Sequence, residues 1–481
     1  MFSFRRKFCL DTPTLFSQYF DIEPESLDRA GFLDPFLSVD LPLFIDPLLL
    51  EKSANKIIAS DGIDAFRLHF EQLVRLLLIC EVKGDAAWKA AERHLSLKEP
   101  AENGLGYGKR GRSGSSRPAR VRTRLLETVR EVLRLGSKDP EMLSLMGFLE
   151  EEVGPDTISD FTTRAMTKVL ARITHDFCVQ ENVPVHANDL SSFDLPMHLR
   201  NDSANKPMVL VPKDIVRHLP VTDSWGEVWA ATQHNQALRE KVNALLGGII
   251  TPTIKQQKEV IRQAVLQSAY IFDEFLEAVR KSAVAYDQND DVLGYYTLRD
   301  LLAKKPLAAE RRRYDLSKGP VEVHRVVLDA LESFKHHVEN GNLWEALWAG
   351  EVPKRERASQ LIFYAIADAH CRANNVDLSS EPNMGGGPVD FKFSHGFKAR
   401  VVVEIKRSQG SVEHGFEKQL ETYKKASQTD FGVFVVIDYG DGGPKIRRIR
   451  HLRDLQIAKG LRASEIVVID ATKKKSASKR K

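Results

Sequence analysis

The sequence predicts an α+β protein: a mainly helical N-terminal region over residues 1–310, then a smaller C-terminal domain over 319–472 in which strands are set between helices. Three observations carry this. Apolar residues recur at helical spacing through much of the first three hundred positions. Runs rich in Val, Ile and Phe, the composition of strands, dominate only in the last quarter of the chain. Between the two, residues 304–318 are basic, poor in apolar side chains and include Arg311-Arg312-Arg313, as befits a boundary. At 481 residues, two or three domains are expected.

Taken in order, LPLFIDPLLL (41–50) reads as buried turns and 64–94 as helix, with FRLHFEQLVRLLLICEV at helical spacing. Glycines, serines and basic residues break the periodicity over 100–118, an exposed loop. Helix resumes near Ala119. After the acidic run Glu150-Glu151-Glu152, Gly154-Pro155-Asp156 punctuates, and helical periodicity restarts over 158–177 with Asp156 as its N-cap. Residues 185–235 are less regular and offer a sub-boundary; VLVPKDIVRHLP (209–220) reads as a buried strand and turn. From 233 to 287 the pattern is helical again, interrupted at Gly247-Gly248 and Pro252, with 255–286 read as one long helix. Beyond the boundary, Val323, Val326, Ala330, Phe334 and Val338 share a helical face, and a second helix spans 355–374. No internal repeat is seen.

Composition narrows the function classes. Hydrophobic residues at 42% give enough apolar surface for a large core and exclude a disordered chain. The opening residues carry no continuous apolar stretch, and no later run reaches the ~18 residues of a membrane span, so a cytoplasmic protein without membrane contact is expected. Cys9, Cys80, Cys178 and Cys371 lie far apart, which suggests reduced, buried thiols and no zinc knuckle or disulfide framework. Net charge is only +4, but residues 104–124 carry seven cations and no acid, and the tail 473–481 carries six. Both segments suit a polyanion such as nucleic acid, or a solvated loop and a frayed tail.

The chemistry concentrates near the end. VDFKF and RVVVEIKRS read as two strands joined by the short link SHGFKA. Side chains at i and i+2 share a strand face, so Glu404 and Lys406 project together while Val403 and Ile405 turn to the core. With Asp390 on the neighbouring strand, two acids and a lysine converge. Two carboxylates offer hard oxygens to Mg²⁺ (or Mn²⁺), which keeps several waters and takes only one or two protein carboxylates. Such an ion offsets charge on a scissile phosphate and acidifies bound water, and a lysine beside it can orient the nucleophile. An ExK triplet alone is weak, since Glu and Lys alternate on many solvated strands; here the opposite face is Val and Ile, and a helix with GFEKQLETYKKA follows.

These residues resemble the PD-(D/E)xK nuclease superfamily: Pro388-Val389-Asp390 as the first acid, Glu404-Ile405-Lys406 as the second half-motif, Gln419-Leu420-Glu421-Thr422-Tyr423 as a QxxxY helix, and a preceding helix opening Glu356-Arg357-Ala358-Ser359-Gln360. The resemblance covers 319–472; Val389 between Pro388 and Asp390 departs from the literal Pro-Asp pair. It implies a restriction-endonuclease-like αβββαβ core in which FGVFVVID and EIVVID supply later strands. It implies Asp390 and Glu404 as metal ligands with the Ile405 carbonyl as a third, and Lys406 positioning the attacking water. Gln419 and Tyr423 would brace the site or touch the nucleic-acid backbone, and Glu356 would assist metal or lysine placement. Lys392, on the strand face of Asp390, and Arg407, next to Lys406, are candidate phosphate contacts.

Together these readings predict a metal-dependent phosphodiester hydrolase acting on nucleic acid, DNA ahead of RNA, with restriction or antiphage defence as the setting by analogy and a homodimer as an expected assembly. The rival reading is a non-catalytic nucleic-acid-binding or scaffold protein with a degenerate nuclease fold. Elsewhere, GYGKRG (106–111) spells GxGxxG but follows no strand, so Lys109, Arg110 and Arg112 are read as a flexible basic loop on nucleic acid rather than a dinucleotide site. Acids at 150–160 are read as helix-end residues before a second metal site. His336-His337 diverge on a helix and do not make a ligand pair.

Overall fold

The computed structural model describes residues 14–37, 40–97, 100–106, 119–150, 153–199, 205–218, 240, 242, 244, 253–304, 314–380, 389–396 and 398–474. The N-terminal region is mainly helical, as its periodicity predicts, but several expected helices are divided. Residues 64–94 form two helices, Ile63–Leu78 and Ala86–His94. Asp85 explains the break: its carboxylate accepts hydrogen bonds from the Glu81, Val82 and Trp88 amides, closing a turn and capping the second helix. The expected helix 255–286 is likewise two, Ile254–Val265 and Ala269–Ser282, because the Ser268 hydroxyl caps the second at the Ile271 amide. The stretch 158–177 divides at Met166 into Pro155–Ala165 and Thr167–Gln180, and Gly154, not Asp156, takes the cap position.

The turns at 41–50 are buried as expected and include a short strand, β1 (Leu43–Ile45), followed by the 3-10 turn Pro47–Lys52. Two further short strands, β2 (Met197–Leu199) and β3 (Asn205–Pro207), pair with each other. Among the described residues of 209–220, only β4 (Val216–His218) is strand, antiparallel to β1 with Ile45 opposite Val216. A small hairpin, β5 (Trp348–Ala349) and β6 (Val352–Pro353), precedes the second C-terminal helix. Among the described residues, no helix is long and apolar enough to cross a membrane.

The C-terminal region is built on a five-stranded mixed sheet in spatial order β7 (Asp377–Ser380), β8 (Phe391–His395), β9 (Ala399–Arg407), β10 (Gly432–Asp438) and β11 (Glu465–Asp470). Strands β7, β8 and β9 run antiparallel; β9, β10 and β11 run parallel. The two parallel connections cross over through residues 412–426 and through the helix Gly443–Ala458. Two crossovers of the same hand, taken in the same direction across a sheet, put both helices on one face. There Phe416, Leu420, Tyr423, Ile446 and Ile449 pack on Val402, Phe434 and Val436. The helices Pro320–Glu339 and Glu356–Ala373 cover the opposite face, against Val401, Val403, Ile405, Val433, Val435 and Ile437.

This second apolar layer is continuous with that of the N-terminal region, so one core underlies both. The helix Tyr295–Lys304 is the junction. On one side the Tyr295 hydroxyl donates to the Asp34 carbonyl at 2.9 Å; on the other, Asp291 just before the helix accepts from the buried Lys354 ammonium at 3.1 Å. Gly294 lies at φ +69°, and a Cβ there would stand 2.6 Å from the Ala346 carbonyl oxygen, so only glycine fits this approach.

Candidate active site

The site forms where β8 stops and β9 continues. Phe391, the first residue of β8, lies opposite Val403, and among the described residues 404–407 of β9 have no partner strand on that side. Alternate strand residues send their amides to opposite edges, and those of Val402 and Ser408 bond toward β10. The amides of Ile405 and Arg407 therefore face the vacated edge, where carboxylates meet them. Asp390 Oδ2 accepts from the Ile405 amide at 2.6 Å, and Glu356 Oε2 from the Arg407 amide at 3.3 Å. A strand residue points its N–H and C=O the same way, so the Ile405 carbonyl also lies on the Asp390 side.

Around this edge the charges interlock. Lys406 Nζ lies 2.9 Å from Glu404 Oε1 and 2.9 Å from Glu356 Oε1, bridging two acids that are 48 positions apart in sequence. Asp390 Oδ1 accepts from Gln360 Nε2 at 2.9 Å, and Gln360 stands one helical turn after Glu356 on the same helix. Glu404 is 2% exposed, and its second oxygen, Oε2, is buried with no hydrogen-bond partner.

Burial, then repulsion from Asp390, pushes the Glu404 carboxyl up to about 8, against the pull of Lys406. Asp390 is raised to about 6, first by loss of water around its carboxylate and then by Glu356, while Lys406 and the Ile405 amide oppose. The two acids share one site, so these shifts belong to the pair. For Lys406, burial favours the neutral amine but is outweighed by Asp390, Glu404 and Glu356, which hold it as an ammonium well above the ordinary lysine range.

The helical segment 412–426 closes the site from above the sheet. Its middle, Gly415–Gln419, is a single π-turn, a feature frequent at functional sites. A Cβ at Gly415 would stand 3.1 Å from the Phe434 ring and 3.2 Å from Lys406 Cγ, so glycine lets the segment settle directly on the lysine stem. Tyr423 is 7% exposed, and burial followed by the charges of Glu404 and Asp390 holds its phenol protonated above the usual range. Gln419 Oε1 is buried without a hydrogen-bond partner.

The structure thus brings together Asp390, Glu404, Lys406, Glu356 and Tyr423, with the Ile405 backbone among them; Gln419 lies one helical turn before Tyr423 on the covering segment. Lys392 lies opposite Val402, on the sheet face shared by Glu404 and Lys406. Arg407 does not join them. It points to the other face, where its guanidinium donates to the Lys354 carbonyl at 3.0 Å. Lys109, Arg110 and Arg112 lie outside the described residues, as do 475–481 of the tail; Lys473 and Lys474, which are described, pair with Glu351 and Asp470. Cys80, Cys178 and Cys371 are buried thiols in no disulfide, and Cys9 lies outside the described residues.

Gln360 is a site residue absent from the sequence-derived candidates; its spacing of four from Glu356 on a helix is the signal that points to it. Strand β7, of sequence DLSS, carried no strand signal at all. Among the described residues no cluster of three or more His, Cys, Asp or Glu side chains is arranged as a metal site; Glu356 is engaged by Lys406 and the Arg407 amide. The donors left for a cation are Asp390, Glu404 and the Ile405 carbonyl. That set fits magnesium, which needs only one or two carboxylates beside water, and the unpartnered Glu404 Oε2 is the atom such a cation would satisfy.

Residues 323–441 match a family described as a domain of unknown function (DUF8371), a span that contains every residue of the site. Residues 21–223 match a second domain of unknown function (DUF8370). No curated protein and no solved structure matches the chain.

Proposed function

We propose that the chain is a divalent-cation-dependent phosphodiester hydrolase acting on nucleic acid, with DNA the first substrate to test. The observation that carries this reading is the buried, unpartnered Glu404 Oε2, set beside Asp390 and a lysine held cationic. Folding places an incompletely bonded carboxylate in the interior at a cost, and a cation ligated there offsets that cost. A magnesium or manganese ion held by Asp390, Glu404 and the Ile405 carbonyl would neutralise phosphate charge and acidify a bound water.

The chain's own groups supply the rest. Gln360 and the Ile405 amide fix the two oxygens of Asp390, so its carboxylate is oriented before any ligand arrives. Lys406 is held in the ammonium form, which suits it to orient a water or a phosphate oxygen and not to take a proton from it. Glu356 holds that ammonium from the far side and leaves Glu404 with one oxygen free. Tyr423, protonated, can donate to the carboxylate pair or to a phosphate oxygen.

The test is cleavage of linear and supercoiled DNA, and of RNA, by the full chain with Mg²⁺ or Mn²⁺ and with EDTA. Wild type is expected to cut only with the cation, and Asp390→Ala and Lys406→Ala to lose about a hundredfold or more. Equal, EDTA-insensitive cutting by all three proteins would remove this site from the chemistry, and no cutting by any of them while folded would leave the non-catalytic reading in its place.

A further inference from the structure

Resting on the hydrolase reading, we propose that the exposed face of the helix Gly443–Ala458 is the surface on which the chain grips the sugar-phosphate backbone of its nucleic-acid substrate. The helix reads GPKIRRIRHLRDLQIA, with five Lys or Arg and one acid. Its inward side is accounted for: Ile446 and Ile449 are buried against the sheet, and Arg453 is committed to β11 through the Ser464 carbonyl at 3.1 Å and Glu465 at 2.9 Å. Lys445 is committed too, donating to the Ser408 and Gly410 carbonyls at 2.8 and 2.9 Å.

That leaves Arg447, Arg448, Arg450 and His451 exposed, with no side-chain hydrogen bond or ion pair among the described residues. At 3.6 residues per turn, 447, 448 and 451 share the outward face and 450 borders it. The arrangement works against the helix itself. Like charges three and four residues apart repel, and cations near a helix N-terminus oppose its dipole; the first turn carries no acid to relieve either. Elsewhere in the chain, arginines such as Arg217, Arg262, Arg280 and Arg299 are bound to carboxylates. An unneutralised cluster of this kind is satisfied by an external polyanion.

Its position selects the polyanion. Lys445 ties the start of the helix to the loop 408–411, which leaves the end of β9 directly after Lys406 and Arg407, so the cations begin beside the candidate site. A backbone lying along them would run toward Glu404 and Lys406. An anionic membrane is the competing partner, because Leu455, Ile457 and Leu461 are exposed further along. They are not segregated as an interfacial helix requires: Leu455 falls on the same face as Arg448 and His451.

The experiment measures binding of the full chain to a fluorescent 20-base-pair duplex by anisotropy in EDTA, which stops cutting, over a salt series. A triple Arg→Ala variant at 447, 448 and 450 is expected to bind at least tenfold more weakly and to lower the slope of log K against log salt by about 2–3, while Arg→Lys at the same three positions keeps the slope. Thermal melts check that the variants fold. An unchanged affinity and slope in the Ala variant overturns the proposal, as does wild-type binding to phosphatidylserine vesicles with none to the duplex. The two readings separate cleanly. Cation-dependent cleavage with the Ala variant still binding fully sinks this surface and spares the hydrolase; a slope that depends on these arginines without any cleavage does the reverse.

Discussion

Glu404 spends one oxygen on Lys406 and keeps the other dry and unbonded, an arrangement that costs the folded protein most when the carboxyl is ionised. Its raised value, about 8, and that of Asp390, about 6, set a sign for pH dependence. Both acids bind a proton more tightly folded than unfolded, so the stability they confer is complete below the ordinary carboxylate range and is lost as pH rises through about 6 and then about 8. Urea midpoints in EDTA are expected to fall across that interval, and Glu404→Gln to flatten the upper part of the fall. The same protons compete with a cation, so Mg²⁺ or Mn²⁺ affinity should climb over the same range. A flat stability profile, or an identical fall in the Gln variant, contradicts this account of the site.

Between elements, the site depends on one termination and one close approach. β8 begins only at Phe391, which frees the edge of β9 for Asp390 and Glu356; the segment 412–426 then seats on Lys406 because Gly415 has no side chain. Gly415→Val is expected to destabilise the protein by about 1–3 kcal/mol through overpacking against Phe434, and to displace the lysine enough to reduce cleavage more than stability alone explains. Denaturation and cleavage measured on the same preparation check both; a variant as stable and as active as wild type would show that the approach is slack. Gly415 is helical at φ −58°, so the effect tests packing and not backbone strain.

Across the whole molecule, the helical region and the sheet region share one apolar core, and a buried polar tie between them is Asp291 with Lys354. Lys354 is 5% exposed and its ammonium has Asp291 Oδ2 at 3.1 Å; the other Asp291 contacts are the Tyr286 hydroxyl and the start of the following helix. Asp291→Ala would strand a buried charge, and is expected to cost about 3–5 kcal/mol in chemical denaturation, part of it recovered by adding Lys354→Met. A loss below about 1 kcal/mol would mean that water reaches the lysine and the junction is looser than its packing implies.

What sequence determined here is what depends on neighbours along the chain. The helical period of the first half, the four apolar strands β8–β11, and the pairing of Glu404 with Lys406 on one face all follow from local repeat geometry, since alternation along a strand is a property of the strand itself. Caps that divide the long helices, at Asp85 and Ser268, were local signals too, but apolar periodicity running through them masked the breaks. Tertiary structure alone decided the rest. The polar strand β7 exists because β8 pairs with it; Glu356 and Gln360 reach Lys406 and Asp390 because their helix starts beside the end of β9; and the Arg407 guanidinium meets the Lys354 carbonyl on the face to which strand alternation turns it. Each of these is a contact between residues far apart in the chain, and a linear pattern encodes which groups share a face but not which distant backbone will come to meet them.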